Sequence, residues 1–150
     1  CMIKPKGFGK IMCLPFFDDS IVSYHLHDSD KLNLAVGLKN LCRLLLKAGA
    51  VNLFPSINGV HPVSKSQHIE LLPNKINPSQ TSLMTVHLFS SCPIGENRKY
   101  CVANSYGKIF GQDGLFIADS SMLPTAPGVN PQGTIMALAM RNIDKIMEDL

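Results

Sequence analysis

Leu115-Phe116-Ile117-Ala118-Asp119-Ser120-Ser121-Met122-Leu123-Pro124, followed by Gly128-Val129-Asn130-Pro131-Gln132-Gly133-Thr134, is the stretch whose reading decides the fold. Leu115 to Ala118 is too apolar for an exposed strand. Asp119 at its end needs partners, because an ionised carboxylate is costly to bury alone. Ser120 to Val129 reads as a Pro/Gly loop. Asn130 and Pro131 then open a helix. Asn is a favoured N-cap, and Pro at the first helical position gives up no bond the helix would have made. Ile135, Leu138, Ala139, Ile143, Ile146 and Leu150 form its expected buried face. The free N–H groups of Gln132, Gly133 and Thr134, with the helix dipole behind them, suit a negative group. In α/β sheets ligands gather at the C-terminal ends of strands, which is where Asp119 falls. The plain reading of the same residues is a capped helix behind a turn.

Working outward, Lys108-Ile109-Phe110 and Leu115 to Ala118 are separated by Gly111-Gln112-Asp113-Gly114 and read as a hairpin or tight return. Leu83 to Phe89 has strand character and carries His87. Ser90-Ser91-Cys92-Pro93 follows, small residues that let a ligand or another backbone come close. A histidine there can serve as a general base, its ordinary pKa being near neutral. It can equally be a core histidine satisfied by backbone. Cys92 lies five residues on. A Cys/His acyl-transfer pair is disfavoured, because Pro93 removes an N–H that an oxyanion hole would use.

Upstream, Ser20 to His27 alternates and reads as a half-buried strand. Val22, Tyr24 and Leu26 share one face, and Ser23, His25 and His27 the other. Gly7 to Phe17 supplies an earlier strand. Asp28 or Asp30 caps a helix whose stripe is Leu34, Leu38, Leu41, Leu45 and Ala48, with Gly49 as its stop. Val51 to Ile57 reads as a short strand. Asn58 to Ser82 is rich in turn formers and reads as a surface loop, with a short helix near Ser66 to Leu72. His25, His27, His61 and His68 match no zinc spacing.

Composition bounds the rest. The 150 residues are 45% hydrophobic and 17% charged, which excludes wholesale disorder. Mean hydropathy is +0.12. Low charge with positive hydropathy points to a surface partly covered by something else. The net charge of +3, from 14 Lys+Arg and 11 Asp+Glu, is too weak and scattered for a nucleic-acid binder. No apolar run is long enough for a membrane span. The five cysteines are odd in number and contain no Cys-x-x-Cys, so a reducing compartment, the cytoplasm, is expected. The start at Cys1 reads as mid-chain.

These residues together carry a pattern. Val86-His87-Leu88-Phe89-Ser90-Ser91-Cys92-Pro93-Ile94-Gly95, Tyr106-Gly107-Lys108-Ile109-Phe110-Gly111, Leu115 to Pro124 and Gly128 to Thr134 resemble, in order and spacing, the C-terminal region of the glucose–methanol–choline (GMC) family of FAD-dependent oxidoreductases. Asp28 to Ile57 looks like the helix and strand of that family's substrate-binding portion. The resemblance implies a fragment of a two-domain flavoprotein of α+β or α/β class. Residues 1–97 would belong to the substrate-binding domain and 98–150 would return to the FAD-binding domain. It implies oxidation of a small-molecule alcohol to a carbonyl, by a dehydrogenase or oxidase, with hydride transfer to FAD.

Position by position, His87 matches the active-site histidine that helps take the hydroxyl proton. Asn130 matches a position that is His or Asn in the family, so it should hydrogen-bond the substrate oxygen. Asp119 and Ser120 match the segment contacting the ribityl and pyrophosphate part of FAD. Asn130, Pro131 and Gln132 should lie near the pyrimidine edge of the flavin. Ser90 departs from the pattern, since the family's turn carries a Gly there. Gly7-Phe8-Gly9 lacks the third Gly of a dinucleotide fingerprint, so the FAD-binding N-terminal half is expected to be the missing partner. The competing reading from another class is a small non-catalytic binding or assembly module.

Overall fold

A computed structural model describes all residues except Phe17, Val86, Asp149 and Leu150. It is a small α+β structure. The order is β1 (Gly9–Met12), β2 (Ile21–Tyr24), α1 (Asp28–Lys47), α2 (Ser66–Ile69), a 3₁₀ turn (Ser120–Met122) and α3 (Gln132–Glu148). Two compact units divide the chain, Cys1–Met84 and Thr85–Leu150.

In the first unit β1 and β2 pair antiparallel, with Gly9 opposite Tyr24 and Met12 opposite Ile21. Both strands fall inside the expected segments. Their burial does not follow the expected alternation: Val22 is 68% exposed, and Tyr24 is exposed too. Among the described residues the hairpin has no third strand to shield either face. Helix α1 starts and stops near the expected positions. Its cap is His27 rather than Asp28 or Asp30. The His27 Nδ1 accepts the Ser29 N–H at 3.2 Å, and the Asp30 carboxylate accepts the His27 N–H in return, also at 3.2 Å. This is a capping box with imidazole in the place of the usual hydroxyl. Asp30 is 0% exposed and also accepts the N–H groups of Lys6 and Gly7, each at 2.9 Å. Burial works against its charge, but these backbone donors and nearby His27 outweigh it and hold the carboxyl below its ordinary pKa. Gly7 permits this approach, since a Cβ there would sit 2.5 Å from the His25 carbonyl oxygen. Gly49, at φ +97°, ends the helix as expected.

The core of this unit is Cys42, Val63, Ile69 and Leu72, with Leu38, Leu46, Leu53 and Val60 against it. The stretch 58–82 is therefore no mere surface loop. Val63, Ile69, Leu72 and Ile76 are all buried, each contributing about 1.5–3 kcal/mol by leaving water. The helix within it is shorter than expected, Ser66–Ile69. The strand expected over Val51 to Ile57 is reduced to single bridges, Leu53 with Val63 and Ile57 with Thr81.

The second unit has little regular structure before α3. No strand forms over the described residues of 83–89; Val86 lies outside them. The return between Lys108 and Phe116 is present as an antiparallel bridge, with Ile109 N–H donating to the Leu115 carbonyl at 3.0 Å. Ala103, Ile117 and Met122 form the core, with Cys92, Ile94, Ile109, Ile135 and Leu138 against them. In α3, Ile135, Leu138, Ala139 and Ile146 are partly buried, but Ile143 is 52% exposed, and Leu150 lies outside the described residues. The buried residue of that helix is instead Asn142, 2% exposed. Its Nδ2 donates to the Met122 sulfur at 3.8 Å. Its Oδ1 accepts from Arg141 Nη2 at 2.8 Å. Arg141 also donates to the Ser105 carbonyl and stacks 5.1 Å from the Tyr106 ring centre. Gly107, at φ +82°, lets α3 come this close. A Cβ there would meet the Ile117 carbonyl oxygen at 2.6 Å and Asn142 Nδ2 at 2.9 Å. Among the described residues no helix is long and apolar enough to cross a membrane.

Candidate active site

The start of α3 and the segment holding His87 meet at one cleft of about 330 Å³, lined by His87, Asn130, Pro131, Gln132, Ile135 and Met136. Four of the expected site residues thus come together: His87, Asn130, Pro131 and Gln132. Asp119 and Ser120 do not line this cleft.

His87 is half-buried. The Thr85 hydroxyl accepts its N–H and donates to its carbonyl, each at 3.2 Å. The imidazole tilts against the Phe89 ring with centres 6.4 Å apart. Ser90 then turns the chain at φ +67°, a left-handed conformation. Its hydroxyl donates to the Leu123 carbonyl at 2.9 Å. Two backbone bonds continue that seam, from Cys92 N–H to the Ser121 carbonyl and from Ile94 N–H to the Met122 carbonyl, both 3.1 Å. The Cys92 N–H is committed there, which removes a second donor from any acyl-transfer reading.

Pro131 is buried, while Asn130 and Gln132 are exposed beside it. Ile135 N–H donates to the Pro131 carbonyl at 2.9 Å, closing the first turn of α3. Among the described residues no acceptor meets the N–H groups of Gln132, Gly133 or Thr134. Gly133 opens onto free space, with nothing within 4 Å of where a Cβ would be. A flat ring with developing negative charge fits this arrangement, because open N–H groups and the helix dipole both favour it. Asp119 caps the 3₁₀ turn, its Oδ1 accepting the Ser121 N–H at 2.7 Å. An exposed carboxylate suits a sugar or polyol hydroxyl and repels a phosphate.

A profile described as GMC oxidoreductase, for the C-terminal domain, matches residues 19–139. The chain belongs to the GMC oxidoreductase family. An uncharacterised GMC-type oxidoreductase of Sinorhizobium fredii is 44% identical over 141 residues, 93% of this chain and 28% of the relative. A long-chain-alcohol oxidase of Arabidopsis thaliana is 28% identical over 160 residues, 98% of this chain and 20% of the relative. A 2-methyl-1,2-propanediol dehydrogenase of Mycolicibacterium austroafricanum is 40% identical over 60 residues, 40% of this chain and 11% of the relative. This GMC chain therefore spans between about a fifth and about a quarter of the length of the curated relatives that it matches over nearly all of its own length. It is part of an oxidoreductase, flavoprotein family.

Sequence reasoning missed the residues that hold the site in place. Thr85 gave no signal. Asn142 was hidden by being polar on a face chosen for apolar residues. Gly107 opposite it was the available clue.

Proposed function

We propose that this chain supplies the proton-accepting part of an FAD-dependent alcohol oxidoreductase. The observation that carries the reading is the convergence of His87 and Asn130 on one cleft that Pro131, Gln132, Ile135 and Met136 complete. FAD, when bound, supplies the hydride acceptor. His87 takes the hydroxyl proton of the alcohol. The O–H electron pair then closes the carbonyl as the carbon's hydride departs. The Asn130 amide donates a hydrogen bond to the substrate oxygen and holds it toward His87. The open N–H groups at the start of α3 stabilise the negative charge that hydride transfer creates. Asp119 and Ser120 are assigned to the ribityl and pyrophosphate stretch of the cofactor. Of these, the Asp119 carboxylate suits only the ribityl hydroxyls. Asn130, Pro131 and Gln132 are assigned to its pyrimidine edge.

The remaining partner is the N-terminal, FAD-binding part of a longer chain. Residues 1–97 are assigned to the substrate-binding part and 98–150 to the return to the FAD domain. Support comes from the short span of the relatives covered here and from apolar residues of α3 with no cover, among them Met136, Met140, Ile143 and Met147. A small-molecule alcohol is the proposed substrate and the cytoplasm the proposed compartment. The test is flavin reduction in the longer protein that carries this segment. His87→Gln should slow reduction by alcohol about 10²–10⁴-fold, the usual worth of a positioned base. An unchanged rate overturns the assignment.

A further inference from the structure

Ser90 stands where backbone geometry asks for glycine. Its φ of +67° lies in the left-handed region, which costs any residue with a Cβ. Two non-glycine residues adopt positive φ among the described residues, Phe16 and Ser90. Ser90 alone of the two sits beside a candidate catalytic group. Its hydroxyl is used across 33 residues of sequence, donating to the Leu123 carbonyl at 2.9 Å. That bond is the first rung of a seam continued by Cys92 to Ser121 and Ile94 to Met122, so the whole turn is stitched to the 121–123 segment. Upstream, the Thr85 hydroxyl grips both the N–H and the carbonyl of His87. His87 and Phe89 hang between these two hydroxyl anchors with their rings in contact.

We infer that Ser90 is a positioning residue for His87. Its bond to Leu123 offsets the cost of the left-handed turn and so fixes the direction from which the imidazole enters the cleft. The proposal concerns where the ring sits. It gains catalytic meaning from the reading of His87 as proton acceptor, but it stands or falls separately.

The opposing demands on residue 90 give the test. Ser90→Ala removes the hydroxyl and keeps the backbone cost. Ser90→Gly removes both. The longer protein that carries this segment is labelled with ¹³C and ¹⁵N, and the His87 ring Hε1 resonance is assigned by its loss in His87→Gln. Ser90→Ala should split or broaden that resonance, and Ser90→Gly should return a single sharp one. The amides of Ala103 and Gly107 should be unmoved in both, which separates loss of position from loss of fold. The Leu123 carbonyl ¹³C resonance should shift in Ser90→Gly, a measurement that does not need the alanine variant to fold. An unchanged His87 resonance in Ser90→Ala overturns the inference. So does an unmoved Leu123 carbonyl in Ser90→Gly, or a His87 ring as disordered with glycine as with alanine. None of these outcomes touches the flavin-reduction test of His87 itself.

Discussion

Each compact unit buries one polar side chain from its long helix, and the two choices differ in kind. In the first unit it is a carboxylate, Asp30, held by the N–H groups of Lys6, Gly7 and His27. In the second it is an amide, Asn142, held between Met122 and Arg141. Each lies beside a glycine that allows close approach, Gly7 in one and Gly107 in the other. The carboxylate gathers three orphan donors at a helix start and a strand entry, work for an acceptor-only group. The amide both donates and accepts, which suits a helix laid across a hairpin.

The difference can be broken at four points, taken from the largest expected effect down. Gly107→Ala combines a positive φ with contacts under 3 Å to backbone and Asn142. It should cost about 3 kcal/mol or more in the second unit, measured by urea unfolding followed at the Ala103 amide. Asp30→Ala leaves its backbone donors unpaired and should cost the first unit about 2–3 kcal/mol, read at amides of α1. The Asp30 contribution also depends on pH. Its folded pKa is depressed, so the unfolded state binds the proton more readily at intermediate pH. The stabilisation is therefore present above the ordinary carboxylate range, about pH 4, and is lost as pH falls through the lower folded value. Hydrogen exchange in α1 should accelerate over that window in the native chain and show a flatter profile in Asp30→Asn. Asn142→Ala should cost about 1–3 kcal/mol with no change in that pH profile. Ser90→Ala is the smallest, about 1 kcal/mol, and Ser90→Gly should be near neutral.

The two units also differ in how far their residues announced them. Helix α1 was legible because its apolar spacing is regular and Gly49 ends it. Its cap was not, because the rule that favours Asp overlooks the lone pair on a histidine Nδ1. The burial of Val63, Ile69, Leu72 and Ile76 was obscured by the Asn, Pro and Ser residues among them. Those residues shape turns without saying which side faces the core. Among the described residues of 83–89 no strand forms, and none of them has a bridge partner. In the second unit the hairpin return followed from glycine placement, and Asn130-Pro131 placed the start of α3 one residue early, since the helix begins at Gln132. The helix start drew attention to Asn130, Pro131 and Gln132, the family resemblance singled out His87, and the four line one cleft. The Asn142–Met122 contact and the Ser90–Leu123 hydrogen bond join residues distant in sequence, which no local pattern encodes.

The central claim is that His87 takes the alcohol's proton. Anaerobic stopped-flow measurement of flavin reduction in the longer protein tests it most directly, comparing native His87 with His87→Gln. The account predicts a fall of about 10²–10⁴-fold in the reduction rate, with the bound flavin's absorption spectrum unchanged. Reduction at the native rate in the variant would contradict it.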